Sequence, residues 1–166
     1  SNTQTASLTT YAIAALSASA VPSLQVSALT SNQVKSLKAD QIKSFTFTAS
    51  GQIPTLSAQI SNLSADAIKS LSTGQIGALT SAQVNTMTAT QVAALSATQL
   101  NAMASDRLVK INPSYLRSIS LAGMSTSQLL LMFGTGQANK SLTIDQWNML
   151  GSTKRTAIKS LVTIPT

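Results

Sequence analysis

From Leu63 to Ile119 apolar residues recur at a fixed interval of eight. Leu63, Leu71, Leu79, Met87, Leu95, Met103, Ile111 and Ile119 take the first position of successive units. Ile68, Ile76, Val84, Val92, Leu100, Leu108 and Leu116 take the sixth. A strand would throw these two anchors to opposite faces, because its side chains alternate. In one continuous helix, eight residues at roughly 100° each drift by about 80° per unit, and no apolar stripe survives. Short helices that restart in every unit keep both anchors pointing inward. Such helices are too short to stand alone. They must stack on neighbouring units and share one core, as solenoid repeats do. The expected fold is all-α: a superhelical solenoid of short capped helices, one per eight-residue repeat.

The polar positions set the register of each helix start. Position two is Ser64, Ser72, Thr80, Thr88 and Ser96, then Ala104 and Asn112. Position five is Gln75, Gln83, Gln91 and Gln99 in consecutive units. A Ser or Thr followed three residues later by Gln is a capping box, in which each side chain satisfies the other residue's backbone amide. Positions one and six then flank the cap as a hydrophobic staple. Pro113 falls at the first helical position, where proline is tolerated.

The spacing extends in both directions. Leu8, Ile13, Leu16, Val21 and Leu24 fit it, so Leu8 to Val21, which superficially resembles the apolar part of a signal peptide, is read as the first repeats. Leu29, Val34, Leu37, Ile42 and Phe45 give further units, as do Met124, Leu129 and Met132, then Leu142, Trp147 and Leu150. Ile158 and Leu161 close the series. Loops are expected where the spacing slips, at 46–54 and 133–141, around Gly51, Gly134 and Gly136. With one repeat type throughout, 1–166 reads as a single domain.

Composition narrows the function. Of 166 residues 43% are hydrophobic, too many for a disordered chain. Only 9% are charged, where an average soluble domain has roughly 25%. The chain has no Glu, no His and no Cys. A Ser-His-Asp triad and thiol chemistry are therefore excluded, and no cofactor or metal is expected. No apolar stretch approaches the roughly 20 residues of a membrane span. The net charge of +7 favours acidic partners, but it is spread thinly, with no basic run longer than Lys154-Arg155.

The unit L-[ST]-x-x-Q-[VI]-x-x, as in LTSAQVNTM and MTATQVAAL, resembles octapeptide short-helix repeats of large bacterial secreted and surface proteins. Its spacing is also similar to the mesothelin–stereocilin superfamily of animal cell-surface proteins, and INPSYLRSI carries the proline version. Gln here stands where the animal family often has Glu, which favours the bacterial resemblance. Both resemblances imply a superhelix of short helices, an extracellular setting and a structural or adhesive role without catalysis.

The candidate sites are few. The Gln column has two readings, a ligand ladder or plain capping, and capping explains it. Lys35, Lys43, Lys69 and Arg117 take position seven, as does Lys159 if Ile158 is a sixth position. In a solenoid these are expected to form a broken basic stripe, with two readings: ordinary solubilisation of a chain poor in charge, which the sequence favours, or a surface for an anionic polymer. Asp40, Asp66 and Asp106 take position four, where a carboxylate favours the helix N-terminus. Trp147 is expected in the core. Asn62-Leu63-Ser64 and Asn139-Lys140-Ser141 match the glycosylation sequon. The expected function is a non-enzymatic structural or adhesive module of an extracellular or cell-surface assembly, partnered by copies of itself or other matrix components. The alternative is a binding module for anionic polysaccharide or extracellular DNA.

Overall fold

The computed structural model describes residues 2–45, 57–134 and 141–164. Among them the chain is all-α, with no strand and one isolated parallel bridge, Ser141 to Thr163. The α-helices are short, from four residues at Ser105–Leu108 to nine at Thr126–Gly134. In the regular stretch they follow one per unit: Ala65–Ser70, Thr73–Gly77, Ser81–Thr86, Ala89–Ala93 and Ala97–Ala102. Each begins where the sequence places a cap. Ser64, Ser72, Thr80, Thr88 and Ser96 are extended, and each side-chain oxygen accepts from the amide three residues on. The reciprocal Gln contact is present at Gln33, Gln75, Gln83, Gln91, Gln99 and Gln146.

The anchors form one continuous core. Positions one and six are buried in every unit from Leu63 to Ile119, and so are Ile13, Val34, Leu37, Ile42, Phe45, Leu129 and Leu142. The Thr9 cap and the buried Ile13 place Leu8 to Leu16 in the repeat.

How units stack follows from two observations. Ala97–Ala102 packs against Thr73–Gly77, three units earlier. At the same time Gln99, in its first turn, donates through Nε2 to the carbonyls of Ile68 (3.1 Å) and Lys69 (3.3 Å), four units earlier, and of Leu71 (2.8 Å), which opens the unit after them. One coil therefore takes between three and four units. Each helix rests on the joint between two helices of the coil beneath. Ser70 Oγ meets the Ala39 carbonyl and Asn62 Nδ2 meets Ser31 Oγ in the same stagger.

The joint repeats along the chain. Gln33 donates to Leu8 O, Gln41 to Ile13 O and Leu16 O, Gln75 to Ile42 O and Phe45 O, and Gln91 to Ile60 O and Leu63 O. Gln146 donates to Leu116 O and Ile119 O, at 2.8 and 2.7 Å. The main acceptors are the carbonyls at position six and at the next position one, joined by position seven for Gln33, Gln75 and Gln99, at 3.2, 3.4 and 3.3 Å; a helix C-terminus leaves these carbonyls short of partners. Each Gln thus serves two helix ends: its Oε1 satisfies an amide at its own N-terminus, and its Nε2 satisfies carbonyls one coil back. Capping accounts for one side-chain bond of such a Gln, and the other two or three join coils. Position eight is similarly committed: Ser36, Ser44, Ser70 and Thr86 each donate a hydroxyl to the position-five carbonyl of their own helix.

Several departures from the eight-residue rule are local. Leu24 to Leu29 and Ile119 to Met124 are five-residue units, each with a buried third residue, Val26 and Leu121. The second closes on Gly123 at φ 82°. At position five Arg107 replaces Gln, and its guanidinium reaches the Gly77 carbonyl one coil back. Pro113 starts a tighter 3-10 segment, Pro113–Ser118, capped by Asn112 through Ser114 N at 3.0 Å. Of the loop expected at 133–141, residues 133 and 134 are helical instead, and 135–140 lie outside the described residues. Phe133 stands where a cap hydroxyl is needed, so the helix runs on to Gly134 and Phe133 is fully buried. The loop expected at 46–54 lies outside the described residues.

Candidate functional site

The five expected stripe residues are all exposed. Lys35, Lys43, Lys69 and Arg117 end their helices, where a cation complements the partial negative charge of the last carbonyls. Their relative placement follows from the coil. Lys35 and Lys43 belong to consecutive helices and lie a quarter to a third of a turn apart about the superhelix axis. Lys43 and Lys69 belong to helices that pack on each other, Ala39–Lys43 and Ala65–Ser70. The structure thus brings Lys43 and Lys69 onto neighbouring coils and distributes the others around the solenoid. Lys159 leaves the series. The helix Ser152–Ile158 is capped at Gly151, so Ile158 stands seven residues after the cap, not four, and Lys159 is the C-cap.

The Gln column is interior. Gln33, Gln41, Gln75, Gln83, Gln91, Gln99 and Gln146 are all buried, so their amides face carbonyls of the chain rather than a ligand. The Asp residues are in first turns: Asp40, Asp66, Asp106, and also Asp145 in Ile144–Met149. Asp106 additionally accepts from Ser81 Oγ of the coil beneath, at 3.1 Å. Among the described residues no three acidic side chains come together as a metal site, and no helix is long and apolar enough to cross a membrane. The Asn62 amide is engaged with Ser31. Asn139 lies outside the described residues.

Trp147 packs on the core half-buried, with the guanidinium of Arg155 over its ring at 5.7 Å. Arg155 did not stand out in the sequence. The signal was a charge at position six, a site apolar in every unit from Leu63 to Ile119. Among the described residues four large apolar side chains are exposed: Tyr11 (83%), Leu130 (40%), Ile144 (49%) and Met149 (60%). They are towards the two ends of the described chain, while the middle coils present mostly small, polar or charged residues at positions four and seven, with Val109 the one larger aliphatic side chain.

The family model for the ALTTAQ repeat matches residues 56–89, the stretch where the capped units become regular. No curated protein and no solved structure matches the chain. The chain is thus similar to a short-helix repeat over that stretch.

Proposed function

We propose that the protein is a non-enzymatic structural or adhesive module of an extracellular or cell-surface assembly, such as a surface protein, a fibre or a biofilm scaffold. One observation carries this reading: the recurring polar side chains are consumed by the fold. Hydroxyls at position two cap helices, hydroxyls at position eight bond their own helix, and the amide at position five joins coils. The outward positions four and seven are left for contact, and they repeat at fixed pitch. A repeated surface of weak contacts gains its strength from number, as multivalent binders do. The matching repeat over 56–89 agrees with this reading.

The test is retention of the purified chain on bacterial cells and matrix polymers, together with its assembly state by light scattering and electron microscopy. Self-association or retention on cells is expected. A strictly monomeric protein at high concentration, without affinity for cells or matrix, would overturn the proposal.

A second reading, an anionic-polymer binder, draws on the exposed Lys35, Lys43, Lys69, Arg117 and Lys159. Binding to alginate, heparin or DNA would then fall steeply with salt through counterion release. Replacing Lys35, Lys43 and Lys69 by Gln should abolish binding, and unchanged binding in that triple variant rejects the reading.

A further inference from the structure

Two residues depart from the repeat and fall side by side. Position four is Asn32, Asp40, Ala82 or Thr90 in other units, but Tyr11 in the unit that opens at Leu8. Position two is a hydroxyl at Thr9, Thr30, Ser64 and Ser72, but Lys38 in the unit that opens at Leu37. Each departure works against the fold. Tyr11 leaves an aromatic ring 83% exposed, and Lys38 forgoes the cap hydroxyl. Local rules broken without a gain in stability mark functional positions. The exposure of Tyr11 belongs to its position and not to its place in the chain. Asp66 and Thr90 hold the same position between coils on both sides, and both are exposed.

The coil geometry adds cations to the ring. Gln33 donates to the Leu8 carbonyl and Gln41 to those of Ile13 and Leu16. The helix Thr10–Ala15 therefore lies under the joint between Ser31–Lys35 and Ala39–Lys43. Lys35 and Lys38 stand on the two sides of that joint, both exposed. One coil later, position eight meets position three of the unit three earlier: Ser70 Oγ meets the Ala39 carbonyl, and Asn62 Nδ2 meets Ser31 Oγ. The same step sets Ser36 over Thr10, and so Lys35 beside Tyr11. It also sets Lys69 beside Asp40, the one acid of the two upper helices. Asp40 thus has a cation of its own, and the charges of Lys35 and Lys38 are left for a partner.

We infer that Tyr11, Lys35 and Lys38 form a site for an acidic sugar, one uronate residue of a polysaccharide. The phenol offers an apolar face to the C–H face of the sugar and a hydroxyl at its rim. The two ammonium groups take the carboxylate. Single-stranded nucleic acid is held by successive rings along a groove, whereas Tyr11 is the only exposed aromatic side chain among the described residues. A lone ring between two cations fits a single sugar. The inference deepens the anionic-polymer reading and rests on it.

Isothermal titration of the full chain with an alginate hexasaccharide tests the site. Binding is expected at low salt, and none with cellohexaose, an uncharged counterpart. Tyr11→Ala should weaken binding roughly tenfold with unchanged salt dependence, while Tyr11→Phe stays within about twofold of wild type. Lys38→Ser should weaken binding and lower its salt dependence by about one counterion, while raising stability in urea. A purely structural residue does not move those two in opposite directions. Arg117→Gln, on another coil, should bind as wild type does. Undiminished binding by Tyr11→Ala or Lys38→Ser, with wild-type circular dichroism, overturns the site and leaves the anionic-polymer reading to the triple Lys variant. Tighter binding of a thymidylate hexamer than of the hexasaccharide overturns the choice of sugar. A wild-type chain that binds no anionic polymer at low salt overturns both the site and the reading beneath it.

Discussion

At the scale of single residues, one amide carries two jobs. Gln99 accepts from Ser96 N at 2.9 Å and donates to Ile68 and Leu71 of the coil below, at 3.1 and 2.8 Å. Gln99→Ala should cost about 2–4 kcal/mol, because it strands buried backbone groups at two helix ends; urea unfolding followed by circular dichroism measures it. Gln99→Glu separates the two jobs. A carboxylate can still accept from Ser96, but ionised it faces carbonyl oxygens and has nothing to donate. Burial favours its neutral form, so its folded pKa rises above the roughly 4.3 of the unfolded chain. The variant is then most stable below about pH 4 and loses stability as pH rises through the raised folded value. A variant whose deficit relative to wild type is the same at acid and neutral pH would contradict the double role. The same reasoning gives a physical reason for the absence of Glu at position five, where a capping box alone would accept it. Gly123 is the other residue with no substitute. Its φ of 82° and a neighbouring Ala97 Cβ 3.3 Å from where its own Cβ would stand give Gly123→Ala a cost of about 1–2 kcal/mol, read from thermal unfolding.

At the scale of the element, a helix of five or six residues depends on its cap more than on propensity. Ser96→Ala, which removes the acceptor for Gln99 N at 3.2 Å, should cost about 1 kcal/mol. Lys38 is the converse. It occupies an N-cap without a side-chain bond, although Gln41 still accepts from its amide at 2.8 Å. Lys38→Ser should therefore raise stability by about 1 kcal/mol, and a variant no more stable than wild type in urea would argue against cap control. These elements were legible in the sequence because a cap is a local object: hydroxyl, amide and anchor all fall within six residues. The Oε1 half of each Gln was legible for the same reason. Its Nε2 half was not, since the acceptors lie 28 and 31 residues away for Gln99 and the distance is set by how many units make a coil. An eight-residue period carries no information on that number. The basic positions meet the same limit: the period alone does not tell how position seven of successive units is turned about the axis. The five-residue units were visible as spacings, Leu24 to Leu29 and Ile119 to Met124, but only the coil geometry gives them meaning.

At the scale of the whole molecule, stability is passed from coil to coil through joints that contact only their neighbours, which makes the solenoid quasi-one-dimensional. Gln91 and Gln99 sit side by side in consecutive units, and together they bind the carbonyls of Ile60, Leu63, Ile68 and Leu71. Losing one leaves the neighbouring joint to hold the register. Losing both removes two adjacent joints across the middle of the chain and leaves the interface there mainly to apolar contacts, which tolerate sliding, with Arg107 to Gly77 and Ser81 to Asp106 as remaining polar links. Two-state unfolding requires that the coupling between halves exceed the difference in their stabilities. The wild-type chain should unfold in one transition. Gln91→Ala with Gln99→Ala should unfold in two, or in one broadened transition with a lower apparent m, at a cost greater than the sum of the single variants. Native-state hydrogen exchange locates the break: amides in Thr126–Gly134 and Ser152–Ile158 should open independently of those in Ser31–Lys35 and Ala39–Lys43. A double variant that merely shifts the midpoint of a single transition, with unchanged m and additive cost, would mean that apolar stacking alone couples the coils and that the Gln joints only set their register.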